Sequence, residues 1–119
     1  MEAPERDEIL EAEELTISAR DGLVLVDGRA ITLSVREFQL LCALVRRKDG
    51  IVSRAQLYEQ VWGGELREGD RSIDVYVHKL RSKLERAMPA RRFIHTHVGF
   101  GYRFSAEPLH PFHTPASPA

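Results

Sequence analysis

The sequence predicts an α+β fold with a small antiparallel sheet first, three helices next and a β-hairpin last. Three observations predict it. Residues 9–33 are short apolar runs split by the Asp21-Gly22 and Asp27-Gly28 pairs. Two serines, Ser34 and Ser53, stand three residues ahead of Glu37 and Gln56, each at the head of helically spaced apolar residues. Ile73, Val77, Leu80 and Leu84 then repeat every three or four positions, and Gly99 and Gly101 divide the last apolar runs.

Each element follows from local chemistry. Asp-Gly between apolar runs marks a hairpin. The N-terminal sheet is therefore read as four strands, Ile9–Glu11, Leu15–Ala19, Leu23–Val26 and Arg29–Leu33. Ser34 to Glu37 matches a capping box, in which the Ser oxygen and the Glu carboxylate satisfy each other's free amides. Phe38, Leu41, Leu44 and Val45 follow at helical spacing, giving a first helix over 34–48 with Gly50 as its C-cap. Arg46, Arg47 and Lys48 fall in its last turn, where cations complement the helix dipole. Ile51-Val52 reads as a short extended link. Ser53 to Gln56 is a second capping box, and Leu57, Val61 and Trp62 make a short second helix over 53–61, ended by Gly63-Gly64. Residues 63–70 form a loop, and Asp70 or Ser72 caps the third helix, which Pro89 ends. Strands Ile94–Val98 and Tyr102–Phe104 form the closing hairpin, the glycines of Gly99-Phe100-Gly101 allowing a tight turn. Residues 1–8 read as an acidic linker, 9–105 as the folded domain, and 106–119, with Pro108, Pro111, Pro115 and Pro118, as a disordered tail.

Length and charge narrow the function. A chain of 119 residues suits one domain with a modest core. No apolar run approaches the roughly 20 residues of a membrane helix, and the acidic N-terminus is no secretory signal. The lone Cys42 reads as a small core residue in a reducing compartment, so a cytoplasmic location is expected. The net charge of −1 hides a sorted distribution. Residues 1–14 sum to −6 and residues 71–104 to +6.

That basic segment has a shape. Residues on a helix advance by about 100° each, so Ile73, Val77, Leu80 and Leu84 share one stripe, with Tyr76 beside it. The opposite side carries Arg71, Val75, His78, Lys79, Ser82 and Arg86, with Arg81 and Lys83 on the flanks. A solvated helix mixes both signs on its outer face. Here acids are nearly absent, and a basic helix beside a basic hairpin is shaped to hold duplex DNA.

Together these residues resemble a known family. Ile31-Thr32-Leu33-Ser34, Glu37 to Leu41, Val52-Ser53-Arg54, Val61-Trp62-Gly63, Arg71 to Val75, Leu80 to Glu85 and Gly99 to Tyr102 are similar to the OmpR/PhoB-type winged helix-turn-helix output domain of bacterial response regulators. The resemblance runs over residues 9–105. It implies an N-terminal four-stranded sheet, three helices with the third as recognition helix in the major groove, and a wing hairpin. It implies that Arg71, Ser72, Val75, His78, Lys79 and Arg81 contact bases and phosphates, with Lys83 on the same helix. It places Arg54 and Trp62 on the DNA backbone, and Thr96, His97, Val98 and Tyr102 on the wing beside it. It further implies a promoter of direct repeats bound by two copies head to tail, and a loop 63–70 that addresses RNA polymerase.

The sequence departs from the family in places. Many members carry Arg before the first wing glycine, where this chain has His97-Val98. Lys79 and His78 stand where Arg is frequent, and lysine lacks the planar bidentate contact to guanine. No receiver domain with its phospho-acceptor Asp is present, although the acidic lead-in is similar to the linker that follows one.

Other chemistries are disfavoured. A zinc site takes about four converging ligands. His95 with His97, and His110 with His113, have no Cys or carboxylate partner at suitable spacing, so no metal or cofactor is expected. No Gly-rich phosphate loop, nucleophile elbow or metalloprotease motif occurs, which disfavours an enzyme. Recognition of single-stranded RNA favours exposed aromatic platforms, and the candidate aromatics here are mostly in core-like positions. The alternative reading is a winged helix that docks an acidic protein partner through loop 63–70 and the third helix.

Overall fold

The computed structural model describes residues 8–108. Residues 1–7 and the tail beyond residue 108, with His110 and His113, lie outside the described residues. The element order is β1 (Ile9–Ala12), β2 (Leu15–Ser18), β3 (Leu23–Val26), β4 (Arg29–Ile31), α1 (Val35–Arg46), β5 (Ile51–Val52), α2 (Arg54–Val61), α3 (Ser72–Ala87), β6 (Arg91–His97) and β7 (Gly101–Pro108).

β1 to β4 form an antiparallel meander in sequence order. Alternation buries Leu15 and Ile17 of β2 and Val24 and Val26 of β3 on one face, as a half-buried sheet requires. The Val26–Arg29 pair closes a two-residue turn. Asp27 and Gly28 both adopt positive φ there, 53° and 80°, which is the hairpin geometry that Asp-Gly favours.

Both capping boxes form as their sequences predict, Ser34 with Glu37 at α1 and Ser53 with Gln56 at α2. α1 stops at Arg46, earlier than residue 48, and the positive φ that follows belongs to Asp49 (72°) and not to Gly50. At the head of α3 the Asp70 carboxylate accepts the Ser72 N–H. The stripe Ile73, Val77, Leu80 and Leu84 is fully buried. It packs with Leu40, Leu41, Leu44, Leu57, Phe93 and Phe104 in one core, where the last two rings stack at 5.9 Å.

The hairpin differs most from the sequence reading. Ile51-Val52 is a strand, paired with Arg103 and Tyr102, so the C-terminal sheet has three strands in the order β5-β7-β6. β6 begins at Arg91 and β7 continues to Pro108, with Arg91 opposite Pro108 and Arg92 opposite Glu107. Ordered strand therefore passes residue 105, where the sequence reading ended the domain. Val98 leaves β6 and sits at the tip. Gly101 (φ 144°) is required by close approach: a Cβ there would lie 2.1 Å from the Val52 carbonyl oxygen. Residue 8 is also part of the structured chain, because the Ala19 N–H donates to the Glu8 carbonyl and Arg46 binds the Glu8 carboxylate at 2.7 Å.

Candidate nucleic-acid interface

Burying one stripe of α3 forces the opposite side outward. Arg71, Val75, His78, Lys79 and Arg86 are exposed on it, and Arg71 retains 80% of its side-chain exposure. Lys79 lies over the Tyr76 ring at 5.1 Å, which steadies the ammonium without neutralising it. Ser72 is half-buried in the first turn. The first turns of α2 and α3 and the hairpin tip surround an open cleft of about 610 Å³, with Arg54, Arg71, Asp74, Thr96 and Val98 on its walls. A cationic helix face, a hairpin and a cleft between them thus share one side of the molecule.

Asp74 is the acid at the centre of this surface, and it is fully engaged. Arg54 donates to both of its oxygens, Nε at 3.2 Å and Nη2 at 2.9 Å, while the same Nη2 also donates to the Asp70 carbonyl. The Tyr102 hydroxyl donates to Oδ1 at 2.5 Å, and Arg71 approaches Oδ2 more loosely at 3.7 Å. Burial pushes the Asp74 carboxyl up, but the Tyr102 and Arg54 hydrogen bonds and the nearby cations outweigh it and hold Asp74 below the usual aspartate range. Burial and the same carboxylate push Tyr102 up to about 12. The reach of Asp74 to α2 and to the hairpin joins residues 20 and 28 positions away, which local sequence does not reveal.

Several residues expected to face DNA have partners within the fold. Arg54 is turned inward on Asp74. Trp62 is half-buried, stacked on Tyr58 at 5.5 Å and edge-on to Tyr76 at 5.5 Å, with the Arg36 guanidinium 5.2 Å from its ring centroid. Arg36 also donates to the Val61 carbonyl. Tyr102 is only 7% exposed and its hydroxyl proton is committed to Asp74. Arg81 donates from Nη2 to the Thr96 hydroxyl at 2.9 Å.

Lys83 is directed elsewhere. Its ammonium donates to the Glu37 carboxylate at 2.8 Å, and the Glu37 side chain is only 3% exposed. The Ser34 N–H donates to the same oxygen at 2.8 Å, so the α1 capping box and the α3 lysine share one acceptor. Lys83→Met is accordingly expected to lower the melting temperature by several degrees while leaving duplex affinity nearly unchanged. Thermal melts beside anisotropy titrations check this, and an unchanged melting point with weakened binding would restore Lys83 to the interface.

The hairpin tip lacks a free cation. Val98 and Phe100 are 88% and 73% exposed. His97 accepts from Arg103 Nε at 3.0 Å, and Arg103 also donates to Glu107. His95 is within 2.9 Å of the Ser105 carbonyl. Among the described residues no group of three or more His, Cys, Asp or Glu could hold a metal. Burial pushes the Cys42 thiol up to about 11, consistent with an inert core position. No helix among the described residues is long and apolar enough to cross a membrane.

A four-stranded sheet, three helices and a terminal hairpin that presents a cationic α3 define a winged-helix domain of the nucleic-acid-binding type. The profile of the family described as "Transcriptional regulatory protein, C terminal" matches residues 28–104, and the chain belongs to that family. Among relatives, the response regulator SaeR of Staphylococcus aureus is 34% identical over 97 residues, covering 82% of this chain. The chain spans only 42% of the length of SaeR. Among solved structures, the DNA-binding domain of CpxR from E. coli superposes with a TM-score of 0.76 at 28% identity, covering 86% of this chain and 99% of that one. The Klebsiella pneumoniae RstA DNA-binding domain, solved in complex with the RstA box, gives a TM-score of 0.75 at 28% identity, covering 82% of this chain and 97% of that one.

Proposed function

We propose that the chain is the DNA-binding output domain of a two-component response regulator and recognises a specific duplex sequence. α3 enters the major groove, and the β6–β7 hairpin lies on the adjacent backbone and minor groove. The observation that carries this reading is the outer side of α3, where Arg71, His78, Lys79 and Arg86 are exposed and the nearby acid, Asp74, is engaged by Arg54 and Tyr102. The RstA domain's complex with its box supports it, as does the similarity to the response regulator SaeR.

Within this reading Arg71, Ser72, Val75, His78 and Lys79 meet base edges and phosphates, and the charge of Arg81 adds to the phosphate attraction. Lys79 reads a base edge. Lys79→Ala is expected to relax base preference at one position by about 1–3 kcal/mol, measured by competition between duplexes that differ at single base pairs. Equal loss on every sequence would make Lys79 a phosphate contact only.

Two copies bind head to tail on direct repeats, loop 63–70 contacts RNA polymerase, and the protein works in the cytoplasm. A mobility-shift assay on promoter fragments with heparin as competitor tests the reading. Specific duplex should outcompete heparin. If heparin competes as well as duplex and base changes make no difference, the fold serves as a protein-docking module instead.

A further inference from the structure

Thr96 and Tyr102 stand directly opposite each other on β6 and β7. Both reach the same helix. Tyr102 donates to Asp74, and Thr96 accepts from Arg81. Asp74 and Arg81 are seven residues apart, about two helical turns, and so lie on one side of α3. The base of the hairpin is held by Phe93 and Phe104 in the core and by the pairing with β5, so the freedom left to it lies toward the tip. Two bonds to helix positions about 10 Å apart along the axis, at 1.5 Å rise per residue, restrict that freedom. The far end of the latch is also fixed, because Asp74 holds Arg54 of α2 and Val52 of β5 pairs with Tyr102.

We propose that Thr96 and Tyr102 are positioning residues: as one cross-strand pair they latch the wing to two points of α3, Asp74 and Arg81, and so set the angle at which wing and recognition helix meet a duplex. This rests on the DNA-binding reading and gives the pair a different role from the phosphate contacts that the family resemblance implies. The Tyr102 hydroxyl, buried with its proton committed to Asp74, has no donor to offer a phosphate. The Thr96 hydroxyl is exposed and accepts from Arg81, so its role is decided by its own variants. A specific site needs helix and wing contacts to fit at once, and so depends on the angle. Non-specific binding follows backbone charge and tolerates a looser angle.

The test compares the 119-residue chain with Tyr102→Phe, Thr96→Val and Thr96→Ser. The probes are the best duplex selected from a random pool and a scrambled duplex of equal length and composition. Tyr102→Phe keeps the ring and removes one hydrogen bond to a charged group. It is expected to lower the specific-to-scrambled affinity ratio about tenfold, with scrambled affinity and salt slope unchanged. Thr96→Val should act in the same direction to a smaller degree, and Thr96→Ser, which keeps the hydroxyl, should stay near wild type. Thr96 is exposed, so its variants remain folded and informative even where Tyr102→Phe lowers the melting point. Equal weakening on both duplexes would mean lost phosphate contacts and overturn the latch. An unchanged ratio in both hydroxyl-deleting variants would overturn it too. A wild-type chain that fails to distinguish the two duplexes would remove the DNA reading itself, and the latch with it.

Discussion

A fourfold rise in salt, from about 50 to about 200 mM, is expected to lower duplex affinity about 150-fold. The expectation comes from counting charges on α3. Arg71, Lys79, Arg81 and Arg86 lie on its outer side or flank, while Arg54 and Lys83 are neutralised by Asp74 and Glu37. Four displaced counterions give a slope of about −3.6 in log affinity against log salt. Anisotropy titrations at several salt concentrations measure it directly. Had Arg54 and Lys83 also faced phosphates, the slope would be steeper by about 1.8. A slope near zero would mean that the face of α3 does not meet a polyanion.

Replacing Glu37 with alanine should destabilise the fold by about 2–3 kcal/mol, the low side of the cost of breaking a buried ion pair, because Lys83 remains 37% exposed. One side chain closes the α1 capping box and anchors α3 to α1, so both helices lose a contact together. Denaturant melts should show a lower midpoint without loss of helix at low denaturant. The pair also has a pH signature. Burial alone pushes the Glu37 carboxyl up, but hydrogen bonds from Lys83 and Ser34 with the attraction of Lys83 outweigh it, and the group lies below the ordinary glutamate range. A carboxylate whose folded-state pKa is depressed contributes stability above its unfolded pKa. That contribution is lost as pH falls through the folded value. Wild-type stability should therefore decline in acid more steeply than that of Glu37→Ala. Equal acid sensitivity in the two proteins would mean that Lys83 and Glu37 are not coupled.

The parts of the fold that were legible in the sequence are those governed by neighbours along the chain. Asp27-Gly28 specified its turn through its own backbone preference, Ser34 and Ser53 specified helix starts through residues three positions away, and Ile73 to Leu84 specified a buried stripe by periodicity. The parts that were not legible depend on distant partners. Ile51 and Val52 make too short a run to signal a strand, and their pairing with β7 spans about half the chain. Gly101 was readable as a turn glycine, but the carbonyl of Val52 that excludes a Cβ is visible only after β5 pairs. The candidate interface divides in the same way. Helical geometry alone turned Arg71, Val75, His78 and Lys79 outward. The inward turn of Arg54 to Asp74, and of Lys83 to Glu37, required knowing which helix lies opposite.

The central claim is that α3 reads a base sequence, and selection of bound duplexes from a random pool tests it most directly. The predicted result is an enriched motif repeated in direct orientation about one helical turn apart, protected in the major groove and altered by Lys79→Ala. A bound pool that remains as random as the input, while the folded chain retains duplex affinity, would contradict it.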